Sequence, residues 1–342
     1  MPAITGGKVL VTGANGFVAG WIVKDLLEQG LSVRATVRSL DKADKLKVVL
    51  SPAYGDRLQF VVVDDFTVDG AFDEALEGID GVVHAASPIV ATTNDPDELV
   101  RPAVCSMTNI LDAVNKPGAT VKRVVFVSTI AAVMDWGRRP VPDMWTDKDW
   151  NESAMAEVQE KGCAASPYVA YPASKALAER AAWDTYAAAK RGGAEWDLVS
   201  LCPPWIFGHF LGSVAQEELG FSVSGWYRAV VLEGAPPLSP DGVNWTDVRN
   251  FAEATRLALT KPEAGGERFI ISAGLSVWGQ WVNTARRALG KSGDPRPEIL
   301  ESGEKPSQYD SQKSRDLLGI KYYTLEETTK YILDDFKKRG WA

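Results

Sequence analysis

The stretch Val9-Leu-Val-Thr-Gly-Ala-Asn-Gly-Phe-Val-Ala-Gly20 decides the fold. Lys8 to Thr12 is an apolar run of strand length, and Gly13, Gly16 and Ala19 follow at intervals of three. From Phe17 to Gln29 the apolar positions Phe17, Val18, Trp21, Ile22, Leu26 and Leu27 recur with a helical period, and Gly30 ends the run. Strand, tight glycine turn and helix, in that order, predict a dinucleotide-binding turn. Gly13 allows the sharp turn, Gly16 leaves no Cβ between the backbone and a pyrophosphate, and Ala19 is small enough for the helix to pack on the sheet. Free N–H groups and the helix dipole favour the anion. A glycine pattern alone is weak; its strand-to-helix setting near the start of the chain gives it weight.

Beyond this unit, strands and helices alternate. Strands are predicted at 31–37, 58–63, 81–87, 121–129 and 196–201. Helices are predicted at 40–50, 72–76, 96–115 and 168–191. The alternation calls for an α/β, Rossmann-type, doubly wound parallel sheet with helices on both faces. The ligand is then expected beyond the carboxyl ends of the strands. Residues 131–166 read as long loops with a short helix at 153–161. After Cys202-Pro-Pro204 the alternation weakens. Helices are predicted at 221–233, 248–261, 277–289 and 325–339, a strand at 268–272, and a proline- and glycine-rich loop at 290–306. The expected division is a dinucleotide-binding domain over 1–201, with 245–275 returning to it. A smaller, mostly C-terminal substrate-binding region takes 202–244 and 276–342.

Composition bounds the function. The chain has 342 residues, is 45% hydrophobic and 24% charged, and carries a net charge of −8. That charge argues against non-specific binding to nucleic acid or to an anionic membrane. Cys105, Cys163 and Cys202 lie far apart and show neither a disulfide framework nor metal-ligand spacing, which suits a reducing compartment. His84 and His209 do not make a metal site. No signal peptide, transmembrane run or C-terminal lipidation signal is read, so a cytoplasmic enzyme without metal is expected.

The second informative stretch is Tyr171-Pro-Ala-Ser-Lys175. On a helix, residues four apart share a face, so the phenol and the ammonium point the same way. A nearby positive charge favours the phenolate and lowers the tyrosine pKa from about 10. Such a tyrosine can give a proton to a carbonyl oxygen or take one from an alcohol. Between the glycine turn and this helix lies the strand Arg123-Val-Val-Phe-Val-Ser-Thr129. Its adjacent hydroxyls, Ser128 and Thr129, face opposite sides of an extended strand, so one of them reaches the pocket.

Together, Thr12-Gly-Ala-Asn-Gly-Phe17, Ser128-Thr129 and Tyr171-Pro-Ala-Ser-Lys175 resemble the extended short-chain dehydrogenases/reductases. More narrowly, the chain resembles their dihydroflavonol-reductase-like branch, which includes fungal NADPH-dependent methylglyoxal and aldehyde/ketone reductases. Val33-Arg-Ala-Thr-Val-Arg38, Val83-His-Ala-Ala-Ser-Pro88, Arg101-Pro-Ala-Val104, Ser224-Gly-Trp226 and Asp247-Val-Arg249 match that branch. The resemblance spans nearly the whole length. It implies a catalytic set of Thr129, Tyr171 and Lys175, with Lys175 also holding the nicotinamide ribose. The branch usually ends this strand in Thr-Ser-Ser, and alignment on Ile130-Ala-Ala132 puts Thr129 at the catalytic position. Asn109 is placed in a water-mediated proton relay.

The cofactor is expected to be NADP(H). An NAD site normally places an acid after the second strand; this chain has Arg38 there, followed by Lys42 and Lys45. A guanidinium grips a phosphate bidentately. The expected cofactor contacts begin with Asn15, Gly16, Phe17 and Val18 beside Gly13, and with Arg38 and Lys42. The resemblance adds Asp65 and Phe66 at the adenine, Ala85 and Ser87 along the cofactor, Tyr171 and Lys175, and Pro203, Trp205 and Ile206 at the nicotinamide. Ser128, Trp205, Phe207 and Trp226 are expected at the substrate. The implied reaction is NADPH-dependent reduction of an aldehyde or ketone by a monomer or homodimer. Alternatives are a flavonoid- or steroid-type reductase, a sugar-nucleotide epimerase or dehydratase, and a non-catalytic NADP-sensing protein.

Overall fold

The computed structural model describes residues 3–87, 93, 95–232, 242–291, 293–298 and 307–342. Pro88 and much of the loop expected over 290–306 lie outside the described residues.

The described strands are β1 (Lys8–Val11), β2 (Ser32–Val37), β3 (Leu58–Val62), β4 (Gly81–His84), β5 (Arg123–Val127), β6 (Asp197–Cys202), β7 (Trp205–Phe207), β8 (Val243–Asp247), β9 (Arg268–Ile270) and β10 (Gly274–Ser276). The helices are α1 (Phe17–Glu28), α2 (Asp44–Tyr54), α3 (Asp97–Val114), α4 (Glu152–Lys161), α5 (Ala170–Arg191), α6 (Phe221–Val230), α7 (Val248–Thr260), α8 (Trp278–Leu289) and α9 (Leu325–Arg339).

Seven strands pair in the order β3-β2-β1-β4-β5-β6-β9. Every pairing is parallel. Such strands are covered on both faces, which is why β4 and most of β5 are buried throughout. On one face α1 packs on α7, with Trp21, Ile22 and Leu26 meeting Phe251, Ala254 and Ala258. On the other, α3 and α5 share a core of Met107, Ile110 and Leu111 with Ala178 and Ala182. The alanines let α5 approach closely. The strand order reverses between β1 and β4, and that reversal opens a crevice at the carboxyl ends.

The smaller region is built on a second sheet, β10-β8-β7. Its core joins Phe207, Trp226, Trp245, Trp281 and Phe336. Trp245 and Trp281 meet edge to face, with centroids 4.9 Å apart. The segment expected to return to the main sheet is shared between the two. Helix α7 (Val248–Thr260) packs on the main sheet and Arg268–Ile270 joins it, while Val243–Asp247 pairs with β7 and β10. Residues 72–76, expected as a helix, form turns in which Leu76 N donates to Phe72 O at 2.9 Å. Phe72 is fully buried, so packing rather than helix propensity fixes this loop. Helix α9 begins with a capping box: Thr324 Oγ1 accepts from Glu327 N at 3.2 Å, and Glu327 Oε2 accepts from Thr324 N at 2.8 Å.

Candidate active site

The crevice starts at the glycine turn. Gly13 has φ +66°, and a Cβ there would lie 3.0 Å from Ala86 Cα. Only glycine accepts both the conformation and the approach. Thr12 Oγ1 accepts from Ala85 N at 3.1 Å and from Ala86 N at 3.0 Å, tying the turn to the end of β4. With both acceptor positions used, the Thr12 hydroxyl donates to His84 Nδ1 at 2.9 Å. His84 Nε2–H then faces Ser106 Oγ at 3.3 Å, and Ser106 donates to Ala103 O. Burial, followed by the nearby Lys175 charge, holds the His84 pKa down at about 3. His84 is thus a neutral strut and not an acid or base.

Helix α1 has Gly16 at its N-cap, no side-chain cap and no acid in its first turn. Its N–H groups remain free for an anion. Asn15 and Gly16 are exposed beside it, and Phe17 and Val18 are half-buried. Phe17 packs on Phe210, with centroids 4.7 Å apart. At the end of β2, Arg38 and Lys42 are exposed. Lys45 pairs instead with Glu218 Oε2 at 2.9 Å. Asp65 is held by Thr67, whose hydroxyl and N–H donate to Oδ1 at 2.6 and 2.8 Å. Those bonds lower the Asp65 pKa, with smaller contributions from Arg101 and Arg38. Phe66 packs on Phe72 at 5.0 Å. The free phosphate-binding turn, the basic end of β2 and the anchored acid after β3 fit a dinucleotide bearing a 2′-phosphate.

Asn109, expected in a proton relay, is engaged at the loop after β3. Its amide donates to Phe66 O at 2.9 Å and Val68 O at 3.0 Å, so it braces the loop after β3.

The chemistry-bearing groups meet at the end of β5. Tyr171 sits in the first turn of α5, and its phenol lies near the Thr129 hydroxyl. Desolvation raises the phenol pKa, and the Thr129 contact opposes the rise. The residue as a whole keeps 38% exposure, so the site is open on one side. Thr129 Oγ1 accepts from Ala131 N at 3.3 Å, which leaves its own proton to donate. Lys175 Nζ donates to Val127 O at 2.7 Å and lies 4.5 Å from the Phe126 ring centroid. Burial lowers the Lys175 pKa to about 8, against the raising charge of Glu179.

Three expected substrate contacts are corrected. Ser128 turns away from the crevice, as strand alternation demands, and donates to the buried Glu179 Oε2 at 2.6 Å. Phe207 and Trp226 are both fully buried in the core of the smaller region. Trp226 lies edge-on to Trp281 and Phe336. Helix α6 turns this residue inward because its apolar face must cover the second sheet. Trp205 remains half-buried, 5.1 Å from the exposed Phe221 ring. Pro203 accepts from Ile130 N at 3.0 Å, which brings the 203–206 segment beside Thr129. Ile206 is buried, and Ala85 and Ser87 are half-buried.

Sequence reading missed the Glu179–Arg268 pair beneath Lys175. The four-residue step from Lys175 to Glu179 was a visible signal. Arg268 gave none, because it lies 89 positions from its partner. Among the described residues no cluster of metal-binding side chains occurs, and no helix is long and apolar enough to cross a membrane.

Comparison with known proteins shows the family. Residues 9–274 match the model of the NAD dependent epimerase/dehydratase family. The chain is 32% identical to the ketoreductase azaE of Aspergillus niger, covering 93% of this chain and 94% of that protein. It is 31% identical to dihydroflavonol 4-reductase of Zea mays, over 98% and 89% respectively. The crystal structure of yeast methylglyoxal/isovaleraldehyde reductase Gre2 complexed with NADPH superposes with a TM-score of 0.82 at 27% identity, covering 98% of this chain and all of that one (100%). The chain therefore belongs to the NAD dependent epimerase/dehydratase family, the extended short-chain dehydrogenases/reductases.

Proposed function

We propose that this protein is an NADPH-dependent carbonyl reductase that converts an aldehyde or ketone to the alcohol. The observation that carries the reading is the meeting of Tyr171, Thr129 and Lys175 at the carboxyl end of β5, beside an uncapped glycine turn. Bound NADPH supplies the hydride that adds to the carbonyl carbon. Gly13, Gly16 and the start of α1 hold the pyrophosphate, and Arg38 with Lys42 reads the 2′-phosphate. Lys175 donates to the nicotinamide ribose and holds the end of β5 at Val127 O. Thr129 donates to the carbonyl oxygen and orients it. Tyr171 gives its proton to that oxygen as negative charge develops there. Trp205 and Phe221 form an apolar wall suited to an aryl ketone, a ketoester or a 2-oxoaldehyde. The enzyme works as a monomer or homodimer in the cytoplasm.

The test is loss of absorbance at the reduced-nicotinamide band. NADPH and NADH are compared side by side with an aryl ketone, a β-ketoester, methylglyoxal and a dihydroflavonol. Faster oxidation of NADPH is expected. Preference for NADH would overturn the assignment of Arg38. No turnover with either cofactor, despite tight binding, would overturn the reductase reading in favour of a sugar-nucleotide enzyme or a sensor.

A further inference from the structure

Tyr171, Lys175 and Glu179 are spaced by four along α5 and form one stripe on its buried side. Glu179 is fully buried, and both carboxylate oxygens are occupied. Arg268 grips it with a fork, Nε to Oε1 at 2.8 Å and Nη2 to Oε2 at 3.1 Å. Ser128 donates to Oε2 at 2.6 Å and Ser200 donates to Oε1. Burial alone would raise the Glu179 carboxyl; the Arg268 charge and these hydrogen bonds outweigh it and keep the group ionised. Arg268 is itself fixed. It donates to Asp147 O at 3.1 Å and Ala132 O at 3.4 Å, and lies 3.8 Å over the Trp150 ring.

These contacts bracket Thr129. Ser128 on one side is tied to Glu179, and Ala132 at the end of the following turn is tied to Arg268. Lys175 Nζ reaches the same strand end at Val127 O. A buried ion pair is a weak source of stability, because desolvation offsets most of the attraction. Placing one directly below the active lysine therefore calls for another role.

We propose that Glu179 is a positioning residue for the reaction: its charge acts through Lys175, and its hydrogen bond to Ser128 sets the hydroxyl end of β5. The inference rests on the reductase reading for the roles of Lys175 and Thr129. The ionisable groups facing Lys175 are Glu179 and Tyr171 on its own helix, His84 on β4 and Cys202 on β6, with Arg268 on β9 behind Glu179. His84 is neutral above about 3 and Cys202 stays a thiol to about 12, so Glu179 is the facing group that is charged at working pH. Removing its charge lowers the Lys175 pKa from about 8.

The experiment compares wild type, Glu179→Gln and the double variant Glu179→Gln/Arg268→Gln, which leaves no unpaired buried charge. The readouts are kcat/KM for carbonyl reduction and the NADPH dissociation constant by fluorescence titration, both from pH 6 to 10. In wild type both are expected to worsen above about pH 8, as Lys175 loses its proton. In the double variant that limb moves acidward by about one pH unit, with activity at pH 6 within about threefold of wild type. A limb that stays in place, with an equal loss at every pH, would overturn the proposal and leave Glu179 a packing group. Ser128→Ala, which keeps the ion pair, covers the case in which the double variant does not fold. It is expected to lower kcat about three- to tenfold with NADPH affinity unchanged, and an unchanged kcat would overturn the Ser128 link. Absence of turnover in wild type would count against the reductase reading, and the pH limb of NADPH binding would still decide the role of Glu179.

Discussion

The two sheets differ in what fills the space around them. Around the seven-stranded sheet two sets of buried polar groups are linked into chains, Thr12 to His84 to Ser106 and Ser128 to Glu179 to Arg268, while Arg123 Nε on β5 has no partner. Around the three-stranded sheet the interior is aromatic, and the indole N–H groups of Trp226 and Trp278 have no partner. The hydroxyls of Thr246 and Thr329 also lack partners. A satisfied polar network fixes a geometry, because each donor has one acceptor and each misplacement costs a hydrogen bond. An aromatic core fixes volume and is tolerant of direction. The first region is suited to hold reacting atoms in place. The second is suited to carry an apolar wall, Trp205 and Phe221, against substrates of varied shape.

The comparison breaks most sharply at Tyr171. Tyr171→Phe keeps the ring and deletes the proton donor, and kcat/KM for carbonyl reduction should fall roughly 10²–10⁴-fold. NADPH affinity, measured by fluorescence, should stay within about twofold. An equal loss in Kd would mean that the hydroxyl serves cofactor binding and not chemistry.

Trp226→Ala tests the other region. It empties a fully buried indole site, and unfolding in denaturant should show a loss of about 3–5 kcal/mol. If the smaller region carries only the wall, kcat per folded molecule should change little at temperatures where the variant is folded.

Arg38→Ala sharpens the account of the glycine-turn side. Loss of a charge-assisted bond to phosphate is worth about 1.5–3 kcal/mol, so NADPH affinity should fall roughly 10- to 100-fold with NADH affinity unchanged. Equal weakening of both cofactors would move the phosphate reader elsewhere.

His84 offers a smaller, pH-dependent test. Unfolded, it takes up a proton near pH 6.5; folded, it does so near pH 3. Between those values the unfolded chain binds more protons, so stability falls as pH drops, by up to about 1.4 kcal/mol per pH unit. Unfolding free energies at pH 6.5 and 5 should show that slope, and His84→Gln should lose it. The smallest effect is expected for Thr129→Ser, which keeps the hydroxyl, with kcat within about threefold of wild type.

Much of this was legible in the amino-acid order. The strand–turn–helix unit at Val9–Gly20, the parallel alternation and the four-residue step from Tyr171 to Lys175 are local patterns. Local patterns survive folding because backbone geometry enforces them: 3.6 residues per turn for the helix, two for the strand. The sequence also offered Arg38 where an acid would otherwise stand, and two adjacent hydroxyls of which one could face the crevice.

Only the tertiary structure decided which. Ser128 turns to Glu179 because α5 brings Glu179 to that end of β5 and Arg268 reaches it from β9, beyond β6, a neighbourhood assembled from residues 51 and 140 positions away. Trp226 and Phe207 enter the core because three short strands, widely separated in the chain, close a second sheet over them. Asn109 braces the loop at Phe66 because α3 passes over it. Each of these depends on long-range contact, and periodicity carries no information about which distant segment will supply a partner. The sequence set the backbone units and the reactive residue types; packing set their directions.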